Sequence, residues 1–152
     1  MIEKLLFDLA QAFWWPIMLL VLLSFGYAIL KLGGFLVESF QRMGRPNRIL
    51  ILPAGAGRSL EEMELIVLGE LEGLKLCSRV APMLGLVATM IPLGPALAAV
   101  SAGQTDTAAA GLADAFATVI VALVAASIAF AIYTVRRRWL LQELSYWMET
   151  QS

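Results

Sequence analysis

The chain has 152 residues, 60% of them hydrophobic and 15% charged, with a mean hydropathy of +0.80; a soluble domain has about 45–50% apolar and about 25% charged residues. So short a chain cannot enclose the excess in one core, and lipid is therefore its expected solvent. The net charge of −1 draws no nucleic acid, the lack of histidine removes the usual triads, and a single cysteine excludes an internal disulfide or a CxxC site; neither an enzyme nor a bound cofactor or metal is expected.

The first long apolar stretch, Ala12 to Leu30, carries no charge and is long enough to cross a bilayer, which takes about 20 residues. Trp14 and Trp15 stand where an interfacial aromatic belt would be. Pro16 falls near the helix start, where its missing N–H costs little. A cleaved signal peptide is disfavoured, since Glu3 and Asp8 precede the stretch and no A-x-A site follows it. Residues 44–57 (GRPNRILILPAGAG) read as a Gly- and Pro-rich linker, and GAGRS lacks the spacing of a nucleotide loop. Ser59-Leu60-Glu61-Glu62 then forms a capping box that starts a helix. Leu60, Met63, Val67, Leu71 and Leu74 follow at spacings of three and four, and make an amphipathic stripe that needs a partner.

That helix is expected to run on into a second span, Val80 to Val100, which contains Pro82, Pro92 and Pro95 with Gly85 and Gly94. Such breakers persist in a membrane helix where neighbouring helices re-satisfy the freed backbone, so this span is expected to be surrounded by protein. The third span covers about Leu112 to Val135 and is closed by Arg136, Arg137 and Arg138. Ala113 and Ala117, Ala122 and Ala126, and Ala125 and Ala129 are small-xxx-small pairs that allow close helix approach. The C-terminal WLLQELSYWM extends this helix beyond the membrane. Its stripe and that of residues 60–74 either pack on each other within one subunit or form an oligomer interface.

The expected fold is an all-α membrane protein of three transmembrane helices, with spans two and three extended into the cytoplasm as long helices. Its parts are an outer N-terminal segment and first span (1–36), a cytoplasmic linker and amphipathic helix (37–79), a two-span core (80–135) and a cytoplasmic C-terminal helix (136–152). Basic residues crowd the segment between spans one and two and the C-terminal tail, whereas the link SAGQTDTAAAG has none. The N-terminus is therefore expected outside and the C-terminus in the cytoplasm.

A polar group inside a span is costly and marks a functional candidate. Asp114 is the sole carboxylate in a span, within about one turn of its outer end, where it either serves a path or simply reaches water. Thr118 follows at i+4 on the same face. Thr89, near the middle of span two, either faces a path or bonds its own i−4 carbonyl. Together Thr89, Asp114 and Thr118 could edge a narrow hydrated path between spans two and three. No titratable group stands near the midplane, so a proton crossing here needs a carboxylate from another chain. Pro82, Gly85, Ala122 and Ala126 are the candidate helix-packing positions.

Ala81-Pro82-Met83-Leu84-Gly85-Leu86-Val87-Ala88-Thr89 resembles the second-span motif of the MotA/TolQ/ExbB proton-channel family, roughly A-P-x-x-G-L-x-G-T-V. Gly111-Leu112-Ala113-Asp114-Ala115 is similar to the family's G-I-A-E-A at the start of the last span, and Leu123-Val124-Ala125-Ala126 and Tyr133 fit as well. The resemblance covers roughly residues 78–140. It differs at Ala88 and Pro92, where the family has glycines, and at Val119, where it has threonine. The I-P-L-G-P wording resembles that of small, divergent prokaryotic members more than that of the flagellar, Tol or Exb systems. The resemblance implies a pentamer in the prokaryotic inner membrane, ringed around the helices of a single-span MotB/TolR/ExbD-type partner whose membrane aspartate carries the proton. The chain would then be a ring-forming subunit of a stator-like, proton-motive-force-driven complex, with protons, or alternatively sodium, as coupling ion and no cofactor. Thr89 would face the partner aspartate, and Asp114 would take the place of a functional acidic residue. The alternative is a non-conducting membrane scaffold.

Overall fold

The computed structural model describes residues 1–44 and 59–151. They form four helices in chain order: α1 (Ile2–Ala12), α2 (Trp14–Gly44), α3 (Leu60–Ser101) and α4 (Thr105–Gln151). Three stretches, Ile2–Gly44, Leu60–Ser101 and Thr105–Glu149, are long and apolar enough to span a membrane. The all-α, three-span architecture is thus present among the described residues. The predicted linker lies outside them, apart from Gly44.

Helix formation starts earlier than the hydropathy pattern implies, at Ile2. Only Phe13 separates α1 from α2, and it keeps right-handed helical angles (φ −74°, ψ −10°). The seam has a simple cause: Pro16 cannot donate to the carbonyl of Ala12, so one rung of the helical ladder is missing there.

The start of α3 is the predicted cap. Ser59 is extended (φ −75°, ψ 156°), and its Oγ accepts from the Glu62 N–H at 3.3 Å. From there α3 runs for 42 residues through Pro82, Pro92 and Pro95. At about 1.5 Å per residue it is roughly twice as long as a hydrocarbon core is thick, so both α3 and α4 project well beyond the membrane. Gly103 turns the chain from α3 into α4. It adopts a left-handed φ of 79°, which L side chains rarely tolerate, and Gln104 N–H closes the turn on Ala99 O at 2.9 Å.

The helices bury one another in layers. In the extension beyond the spans, Met63, Val67 and Leu71 of α3 pack against Leu140 and Leu144 of α4. The two amphipathic stripes therefore cover each other within one chain. Leu60, at the first turn of α3, stays exposed. Nearer the spans come Leu74, Cys77, Ala129 and Ile132, then a layer made only of alanines, Ala28, Ala81, Ala125 and Ala126, and then Ile17, Val21, Ala88 and Ala122. Alanine layers bring three backbones together, the arrangement that lets helices associate by dispersion in lipid. The closest approach is at Gly85, where an added Cβ would lie 2.9 Å from Ala122 Cβ and 3.1 Å from Val119 Cγ2. Of the small-residue pairs, Ala122/Ala126 and Ala125/Ala129 are buried, whereas Ala113 and Ala117 are exposed.

The second span is not enclosed by its own chain. Only 17% of the apolar window of α3 is buried, against 39% for α4. Met83, Leu86, Met90 and Leu97 of α3 point outward, as do Phe116, Ile120 and Leu123 of α4.

Candidate functional site

The Gly85–Ala122 contact sets the level of the polar residues in the spans. Thr89 lies four residues beyond Gly85 on α3, and Thr118 four residues before Ala122 on the antiparallel α4, so both stand one turn nearer the α3–α4 turn. Thr89 is half-buried, and its Oγ1 donates to Leu86 O at 2.7 Å. The self-bonding expected of a membrane threonine is there, but it reaches back three residues rather than four. Its lone pairs stay available to accept a hydrogen bond.

Thr118 is buried and doubly engaged. Its Oγ1 donates to Asp114 O at 2.9 Å and lies 3.3 Å from Met18 Sδ. It lines a cavity of about 190 Å³ with Met18, Val21, Leu22, Ala117 and Val121, between α2 and α4. These contacts turn Thr118 toward α2. A four-residue step turns a side chain about 40° around the helix, and from Ala122 that rotation carries Thr118 onto the flank covered by α2. Asp114 is exposed at the turn end of α4. The three residues thus share one end of the bundle, and only Thr118 and Asp114 are bonded to each other, through the backbone.

At the other end the structure builds an ionic cluster that the sequence pattern did not single out. Arg136 Nη2 donates to Glu38 Oε1 at 2.9 Å, and its Nη1 lies 3.4 Å from Glu70 Oε2. One guanidinium therefore joins α2, α3 and α4. Arg42 pairs with Glu143, and its guanidinium stands 4.5 Å from the centroid of the Trp139 ring, which stacks on Phe35 at 5.2 Å. Cation–π contact and ion pairing together hold the extension of α2 against α4. Glu143 carried a readable signal, since it falls within the apolar stripe of Leu140, Leu144 and Trp147. Glu38 and Glu70 carried none: their meeting depends on how three helices are set side by side. Among the described residues no group of His, Cys, Asp and Glu is arranged to hold a metal ion.

The model of the MotA/TolQ/ExbB proton channel family matches residues 55–149, well over half of the chain. The chain belongs to this family. No curated protein and no solved structure matches it. The family match takes in α3 entire and α4 almost to its end. It therefore includes the extension of α3 and nearly all that of α4, of which the motifs at 78–140 took in only the start, and leaves out α1 and α2. Membership points to a proton-channel-type energy-transducing subunit, in a family of transducers rather than enzymes, and to association with a TolR/ExbD/MotB-type partner in a membrane complex. With three helices able to span a bilayer, the chain is a multi-pass inner-membrane protein.

Proposed function

We propose that the chain is the ring-forming subunit of a complex driven by the proton motive force. Several copies, five by family resemblance, surround the membrane helices of a MotB/TolR/ExbD-type partner. The N-terminus and the α3–α4 turn face outward, and the ionic cluster and both extensions lie in the cytoplasm. The observation that carries this reading is an absence read together with the family match. From Trp14 to Leu30, from Val80 to Val100 and from Ala115 to Ile132 there is no Asp, Glu, Lys, Arg or His. Asp114, the one carboxylate in a span, stands at the outer end of the third, so a subunit of a proton-transducing family with no such group deeper in its spans has to meet a proton carrier on a partner.

In this reading Thr89 faces the partner's aspartate. Its proton is already committed to Leu86 O, so its oxygen is free to accept from the protonated carboxyl. Asp114, exposed near the outer end, raises the local concentration of the coupling cation, whether proton or sodium. Thr118 secures the α4 turn that carries it. The outward apolar faces of α3 and α4 are covered by neighbouring copies and by lipid, which also supplies the surroundings that the proline-containing span lacks within one chain.

A second reading is a scaffold that conducts nothing, favoured by the fact that both Thr89 and Thr118 bond their own helices. Two measurements separate the readings. Mild detergent extraction with mass determination is expected to give a homo-oligomer copurifying with a single-span protein that bears a membrane aspartate. In vesicles carrying that complex, Thr89→Val with Asp114→Asn is expected to abolish proton flux and leave the mass unchanged. Unaltered flux in that double variant, with loss of assembly on Ala122→Leu or Ala126→Leu, would establish the scaffold instead.

A further inference from the structure

Proline has no N–H, so Pro95 cannot donate to the carbonyl four residues before it, that of Ile91. Inside a membrane an oxygen deprived of its helical donor is costly, and another group must answer it. Gln11 does so: its Nε2 donates to Ile91 O at 3.3 Å. Gln11 belongs to α1, which lies outside the residues the family match covers. One turn earlier on α1, Phe7 lies over Gly94, its Cε2 3.7 Å from where a Cβ would stand. The two side chains thus bracket the segment of α3 that holds Pro92 and Pro95. Beside them is a cavity of about 270 Å³ lined by Gln11, Trp14, Pro92, Pro95, Thr107 and Gly111 among others. Ile91 also packs against the Ile17, Val21, Ala88 and Ala122 layer, but on the side facing α1 the cavity leaves α3 partly uncovered. The Gln11 amide is the directional contact between α1 and α3 there.

We infer that Gln11 is a positioning residue. It supplies the donor that Pro95 removes, fixes the outer segment of α3 against α1, and so determines how Thr89, two residues before Ile91, is presented to the partner. The pairing of Gln11 with Pro95 stands on geometry alone; its consequence for transport rests on the proposed role of Thr89.

The test is a double-mutant cycle on the full chain in its detergent-extracted complex. Gln11→Met keeps the length of the side chain and removes the donor. Pro95→Ala restores the helical N–H to Ile91 O and makes Gln11 dispensable. With Pro95 present, Gln11→Met is expected to shift the unfolding equilibrium about two- to tenfold toward the unfolded state, the range of one net hydrogen bond, and to lower proton flux in vesicles. In the Pro95→Ala background the same substitution is expected to change neither. Equal losses in both backgrounds would overturn the pairing, because the amide would then contribute independently of the carbonyl that Pro95 frees. A stability effect confined to the Pro95 background, with flux unchanged, would overturn the positioning role. Should Gln11→Met not fold, Gln11→Glu, which carries no amide donor, replaces it. Failure to fold only when Pro95 is present supports the pairing, and failure in both backgrounds overturns it. Thr89→Val serves as an independent arm: normal flux there would defeat the proposed function without touching the Gln11–Pro95 coupling.

Discussion

Gly85 and Gly69 lie on the same helix, and the same substitution is expected to have opposite effects at the two. In a helix interior, glycine to alanine gains about 0.5–1 kcal/mol from reduced backbone entropy. At Gly69 nothing lies within 4 Å of the added Cβ, so Gly69→Ala should realise that gain. At Gly85 the Cβ would stand 2.9 Å from Ala122 Cβ, well inside the roughly 3.5–4.0 Å at which carbon atoms attract. Neither atom sits at the end of a flexible side chain, so the helices themselves must separate. A radial gap of roughly 0.5–1 Å forfeits a quarter to a half of each neighbouring contact, and the layers on either side of Gly85, one of alanines alone and one of Ile17, Val21, Ala88 and Ala122, are held by such contacts. Overpacking of this kind costs about 1–3 kcal/mol. After the entropy gain, Gly85→Ala should be destabilising by up to about 2 kcal/mol. For a chain of this size each kcal/mol moves Tm by roughly 2–4 °C, so melting in detergent, followed by circular dichroism, resolves the two signs. Adding Ala122→Gly to Gly85→Ala vacates the opposing position and should recover most of the loss. If Gly85→Ala raised Tm as Gly69→Ala does, the tight α3–α4 approach would be refuted, and with it the common level assigned to Thr89 and Thr118.

Three further outcomes are expected. Arg136→Gln leaves Glu38 and Glu70 without their shared cation and should cost about 3 kcal/mol, the lower end for breaking a buried pair, because Glu70 is 40% exposed; adding Glu38→Gln should recover part of the loss of chemical-denaturation stability. Leu140→Ala empties a fully buried position between Met63, Val67 and Leu71 and should cost about 2–5 kcal/mol; hydrogen exchange should rise first in the extensions of α3 and α4 and only later in the spans. Ser59→Ala removes the acceptor for the Glu62 N–H and should cost about 1 kcal/mol, read as fraying of the first turns of α3, while Ser59→Asp, which keeps an acceptor, should not fray them.

The elements legible in the sequence are those governed by local chemistry. An uncharged stretch from Ala12 to Leu30 has one low-energy environment, and a Ser59 followed by acidic residues has one favourable backbone geometry. The stripe of Met63, Val67, Leu71 and Leu74 and that of Leu140 and Leu144 state their own period, and each is too apolar to face water alone. The small-residue pairs Ala122/Ala126 and Ala125/Ala129 of α4 likewise announce close helix contact, since small side chains let backbones approach, whereas the same spacing at Ala113/Ala117 marks no contact within the chain. Ordered motifs around Pro82–Thr89 and Gly111–Ala115 were enough to indicate the family.

What depends on the relative rotation and height of helices could not be read along the chain. Thr118 and Ala122 share a face to within about 40°, yet that angle decides whether a hydroxyl meets α3 or the sulfur of Met18 on α2. Glu38 and Arg136 are 98 residues apart, and Gln11 and Ile91 are 80 apart. No local pattern links either pair, because the partners meet only after three helices have settled side by side. Which segments are helical, which are apolar enough for lipid and which faces are apolar follow from each residue's own solvation and backbone preference, and so can be read along the chain. Which polar groups answer one another is settled by packing between helices, because a hydrogen bond or ion pair exists over a few tenths of an ångström and a few tens of degrees.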